Sequence, residues 1–151
     1  MPHYLTNRGK LRLLEGAWAD AGATDIRVGL LLGAAIPAGI DTEAEIQDLN
    51  FVSELLAVTG VDEPTDGSYA RVTLTRSAPT EDDTNNRVNM DASDASFGAL
   101  TASTVYGAFI FDNTGGSDAA RDLYSVDLFA SAVTANGAGF TYAIADIYRA
   151  T

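Results

Sequence analysis

The sequence predicts a mainly β chain: a single-domain antiparallel β-sandwich of Greek-key or jelly-roll type, spanning residues 1–151 and carrying two short helices. Three observations predict it. The run Val105-Tyr106-Gly107-Ala108-Phe109-Ile110-Phe111 alternates two apolar faces and is answered by Leu123 to Phe129, so the two read as paired strands covered on both sides. Six or seven such runs occur, separated by loops rich in Gly, Asn, Asp and Thr. No internal repeat, linker or low-complexity tract interrupts the 151 residues, which suit one core.

Taken in order, Thr6 or Asn7 caps a short helical segment, about residues 6–16, with Leu11 and Leu14 on one face and Gly16 as its stop. Trp18 follows in a small-residue loop. Asp25 to Leu32 reads as a strand, with Ile26, Val28, Leu30 and Leu32 facing one way and Arg27, Gly29 and Leu31 the other. Gly33 to Ile40 is apolar and broken by Pro37, which suits a covered loop. Between Asp41 and Gly60 the spacing of Ile46, Leu49, Val52, Leu55 and Leu56 predicts one amphipathic helix. Val61 to Ser68 is a turn or extended loop, and Tyr69 to Thr75 alternates as a half-buried strand. Arg76 to Asn86 reads as a polar loop, Arg87 to Ala92 as a strand, and Ser96 to Leu100 as a short edge strand or bend.

Within the central pair, Val105, Phe109 and Phe111 are expected on one pleat face, with Tyr106, Ala108 and Ile110 on the other. Leu123, Ser125, Asp127 and Phe129 are expected to alternate with Tyr124, Val126 and Leu128. Ala135-Asn136-Gly137-Ala138-Gly139 is the best short turn signal, and Phe140 to Tyr148 reads as a last strand.

Composition narrows the function classes. Nine basic against 21 acidic side chains give a formal charge of −12, which opposes binding to nucleic-acid phosphates and to anionic membrane surfaces. The charge is uneven. Residues 1–27 carry Arg8, Lys10, Arg12 and Arg27 against Glu15, Asp20 and Asp25, a formal +1, leaving −13 on the remainder. Such a segment suits docking on an acidic partner or a neighbouring copy, the plainer reading being solvated side chains on a short helix. No apolar signal-peptide core or membrane span is read from the sequence, since the longest apolar stretch, Val28 to Ile40, falls short of about 20 residues.

Little chemistry is visible. Without cysteine there is no disulfide or thiolate site, and the sole histidine, His3, is expected to be a tail or surface residue, which leaves a nucleophilic triad without its base. No cofactor motif is found. Asp112, Asp118 and Asp122, around Asn113-Thr114-Gly115-Gly116-Ser117, are candidate calcium ligands, as is Glu81-Asp82-Asp83 with Asn85. Both lack the spacing of a dedicated calcium loop, so the competing reading is a solvated turn. Trp18, Tyr4, Tyr106, Tyr124 and Tyr148 are aromatics that stack on sugars in other settings, although aromatics alternating in strands are more often core.

Several phrases together resemble small virion structural proteins of tailed bacteriophages. They are Leu5-Thr6-Asn7-Arg8-Gly9-Lys10-Leu11 with Leu13-Leu14-Glu15-Gly16, Ile26 to Leu31, Phe51-Val52-Ser53-Glu54-Leu55, Tyr69 to Leu74, Thr80 to Arg87, and Thr134 to Thr141. The likeness lies in composition and order, not in a catalytic signature. It implies a capsid decoration or cement protein located in the virion and made in the host cytoplasm, with the major capsid protein or other virion proteins as partners and a trimer or other homo-oligomer as its form. A tail or fibre component that recognises a host surface is the alternative. No enzymatic residue and no cofactor are implied. Contacts are expected from Leu5, Arg8, Lys10, Leu11, Leu14 and Trp18, and from Ile36, Pro37 and Ile40 in the apolar loop, because these lie outside clear strands.

Overall fold

The structure, a computed structural model, describes residues 3–19, 24–66, 68–100 and 103–144, and the backbone of 148–150. Among the described residues strand outweighs helix, 40% to 16%, so the class is mainly β, with every strand pairing antiparallel. Ten strands are described: β1 (His3–Leu5), β2 (Ile26–Leu32), β3 (Val72–Thr73), β4 (Thr80–Asp82), β5 (Arg87–Met90), β6 (Ala95–Ala99), β7 (Thr104–Asp112), β8 (Leu123–Thr134), β9 (Gly139–Tyr142) and β10 (Tyr148–Ala150). Three α-helices accompany them, α1 (Asn7–Leu14), α2 (Glu43–Gln47) and α3 (Val52–Ala57). The main sheet has the order β1-β8-β7-β2-β3, and two smaller sheets are formed by β10-β5-β4 and by β6-β9. No helix among the described residues is long and apolar enough to cross a membrane.

The main sheet is apolar on both faces, and each face has its own cover. Ile26, Val28, Leu30, Ala108, Ile110 and Tyr124 meet Leu13 of α1, Trp18, Leu74 and the β6-β9 residues Ala95, Phe97 and Tyr142. On the opposite face Leu31, Phe109, Phe111, Leu123, Val126 and Leu128 meet Ile40, Ile46, Val52, Leu55 and Val61. Removing this apolar surface from water on two sides of one sheet is the main source of stability.

Two irregularities reassign side chains that strict alternation misplaces. Leu31 pairs with Gly107 while its neighbour Leu32 pairs with Val105, so Tyr106 is an extra residue in β7 against β2. Val105 therefore packs with Ala108 and Ile110, and Tyr106 with Phe109 and Phe111, reversing the expected sides of these two residues. Gly107 is required at this bulge, because a Cβ there would lie 2.6 Å from the Asp127 carbonyl oxygen. Likewise Ile110 pairs with Ser125 and Phe111 with Leu123, so Tyr124 turns to the α1 side and Leu123 joins Val126 and Leu128.

Other sequence expectations are corrected by long-range pairing. The single helix expected between Asp41 and Gly60 is two, giving three helices instead of two. Thr42 and Glu45 form a capping box at the start of α2. The chain then leaves helical geometry because the Asn50 carbonyl accepts from the Leu123 amide at 2.9 Å and Phe51 bridges Asp122. Glu54 receives the Asn50 amide at 2.6 Å and so restarts the helix as α3. The polar loop from Arg76 contains β4, which pairs with β5 through the turn at Asp83 to Asn86. The strand expected over Tyr69 to Thr75 contracts to β3, and β5 ends at Met90. The last strand divides between β9 and β10, which belong to different sheets, with residues 145–147 outside the described residues.

Candidate interaction surface

Helix α1 is seated by its first turn. The Thr6 hydroxyl accepts the Gly9 amide at 2.8 Å and donates to the Leu123 carbonyl at 2.5 Å, while the Thr6 amide donates to the Tyr124 carbonyl at 3.0 Å. One capping residue thus fixes the helix start to β8. Gly9 brings the two backbones together, since a Cβ on it would sit 2.2 Å from the Tyr124 carbonyl oxygen. Gly16, at φ +82°, ends the helix, and its amide donates to the Leu13 carbonyl.

This seating determines what faces out. Gly9 and Leu13 are turned to the sheet, whereas Leu11 is 45% exposed and Leu14 84% exposed. The sequence places Leu11 and Leu14 on one face, and the structure shows that this is the face α1 does not use for its own packing. Lys10, the chain's single lysine, stands beside them at the i, i+4 position to Leu14, and no carboxylate pairs with it among the described residues.

The remaining candidate contact residues divide. Leu5 is half-buried against the α1-side core, and Arg8 is half-buried, donating to Asp122 at 2.7 Å and lying over the Phe51 ring. Ile36 and Pro37 are half-buried in a loop on the opposite side of the main sheet, where Ile36 packs on the second core cluster. Trp18 and Ile40 are corrected outright: at 1% and 0% exposure they are core residues with no surface to offer. Trp18 is held inside because the Arg76 guanidinium lies over its ring and donates to the carbonyls of Ala17, Trp18 and Thr24.

The carboxylates proposed as metal ligands are distributed to other partners. Asp122 receives Arg8 and Arg12, and Arg12 also meets Glu15 at 2.7 Å and Asp112 at 3.7 Å. Asp112 accepts the Thr114 amide and hydroxyl, closing the turn after β7. Asp118 accepts from Arg71 and Arg121, both 2.6 Å away, and the Arg71 hydrogen bond holds its carboxyl below the usual range. Asp82 receives Asn85 and Arg87 in the β4–β5 turn. Among the described residues no three His, Cys, Asp or Glu side chains gather to hold an ion.

His3 is also corrected. It lies in β1, opposite Asp127, and its Nδ1 contacts the Asp127 carboxylate, whose other oxygen accepts the Tyr142 hydroxyl at 2.5 Å. Asp127 is 1% exposed, so this bond and contact offset its burial and tie β1 and β9 to β8. Burial, and then the Asp127 charge, push the Tyr142 hydroxyl far above its ordinary value.

A second surface feature was missed by sequence reasoning. Phe129, Val133, Phe140, Thr141, Tyr142 and Ala143 line an open groove of about 240 Å³. Phe129 stacks on Phe140 and on Tyr142, with ring centroids 6.4 and 6.0 Å apart, and Val133 is 46% exposed. No local alternation marks it: β8 runs on to Thr134, past the expected end at Phe129, and the burial of Phe129 to Thr134 has no period of two. Compared with protein-family models, curated proteins and solved structures, the chain matches none significantly.

Proposed function

We propose that this chain is a non-enzymatic structural protein of a tailed-phage virion, most specifically a capsid decoration or cement protein that stabilises the head lattice by contacts with the major capsid protein and with copies of itself. The observation that carries the reading is Leu14, 84% exposed on a helix locked to the sheet by Thr6 and Gly9. A large apolar side chain held rigidly outward, with Leu11 beside it, supplies the buried centre that a protein interface requires. The acidic remainder of the chain keeps many copies soluble before assembly. Stabilisation of a lattice then follows from mass action, needing geometry and no bond-making. In the same reading the main sheet and the β6-β9 pair act as the two layers of a sandwich of Greek-key or jelly-roll type, supported by the way both contribute to the core around Trp18.

A second reading, a tail or fibre module that recognises a host surface, is favoured by one feature, the aromatic groove of Phe129 and Phe140. Copy number in purified particles, measured by quantitative mass spectrometry, separates the two. Hundreds of copies per particle support the head lattice, a few to a few dozen support the tail, and absence from the particle overturns both.

A further inference from the structure

The three large hydrophobic side chains exposed among the described residues are Leu11, Leu14 and Val133. They are not scattered. Leu11 and Leu14 form a ridge on α1, and Val133 lines the groove with Phe129, Phe140 and Ala143. One patch is convex and the other concave. Each also carries an unmatched charge of opposite sign: Lys10 flanks the ridge, and exposed Asp94 flanks the groove. Asp94 is placed there by the register, because the next residue, Ala95, pairs with Tyr142, and by the Ile144 amide donating to its carboxylate at 2.9 Å. No cation pairs with Asp94 among the described residues.

We infer that the occupant of the groove is a second copy of this chain, whose α1 seats Leu11 and Leu14 between Phe129, Val133 and Phe140 and brings Lys10 to Asp94. Charge decides for a copy of itself. Two molecules of formal charge −12 repel, and Arg8 and Arg12 of α1 are already matched by Asp122, Asp112 and Glu15, so the pair that can draw two copies together is the unmatched Lys10 with the exposed Asp94. The apolar pair supplies the buried centre and the Lys10–Asp94 pair the rim that fixes register. This contact deepens the self-association part of the proposed function and does not require the virion.

Sedimentation velocity on the full chain over a range of concentrations tests it. The wild type is expected to self-associate, and Leu14→Asp or Val133→Asp to weaken that association by about tenfold or more, with circular dichroism and thermal midpoint unchanged because both positions are exposed. Lys10→Glu and Asp94→Lys are each expected to weaken it less, and the double variant to recover it. A monomer at all concentrations, association indifferent to Leu14 and Val133, or a double charge reversal without recovery each overturn the contact. A chain that is monomeric in solution yet present in particles overturns this contact and leaves the virion reading standing.

Discussion

The two helical covers of the main sheet bury their apolar residues to different ends. On one face α2 and α3 direct Ile46, Val52 and Leu55 wholly into the core, and the loop before them adds Ile40. On the other, α1 commits only Leu13 and the contact of Gly9, leaving Leu11 and Leu14 in solvent. The contrast separates residues the fold consumes from residues it leaves free for the proposed contact. A helix that needs Leu14 for stability would bury it; one that presents Leu14 to a neighbour holds it as α1 does.

Substitutions sharpen this contrast, and the largest effect belongs to α3. Leu55→Ala should cost about 2–5 kcal/mol in chemical denaturation, by lost transfer and an unfilled cavity in a core position at 0% exposure. Gly9→Ala should cost about 1–3 kcal/mol, because its methyl group meets the Tyr124 backbone, which cannot swing aside as a flexible side chain would. Asp118, whose backbone carbonyl also accepts the Ser53 amide of α3, gives a pH-dependent effect. Its folded pKa lies below the ordinary 3.8, so its stabilisation is complete above that value and is lost as pH falls through the lower folded pKa. The thermal midpoint of Asp118→Asn should start lower at neutral pH and decline less than the wild type on acidification. Leu14→Ser should change stability least, within about 0.5 kcal/mol, in the same denaturation experiment. A loss comparable to Leu55→Ala would erase the contrast between the two helical covers.

Much of this scaffold is legible in the sequence where the signals are local. Thr6 and Gly16 mark α1 to within a residue, and the alternation of β2, β7 and the first half of β8 marks the centre of the main sheet. What escapes depends on a distant partner. β1 is too short to announce itself and exists because Asp127, Val126 and Ser125 pair with it. The break between α2 and α3 is imposed by the backbone of Asp122 and Leu123, and the bulges at Tyr106 and Tyr124 by strand register. The candidate surface was half legible for the same reason. Leu11 and Leu14 share a face in any helix, but which face meets the sheet is decided by Gly9 against Tyr124. Trp18 and Ile40 sit outside strands and so read as available, yet Arg76 folds one inward and the second core cluster absorbs the other.

The claim that α1 is built to meet a neighbour is tested most directly by hydrogen–deuterium exchange of the wild type below and above its association concentration. The account predicts added protection in the amides of α1 and in those of the second half of β8 with β9, while α2 and α3 remain unchanged. Protection gained at α2 and α3 instead, or no concentration dependence at α1, would contradict it.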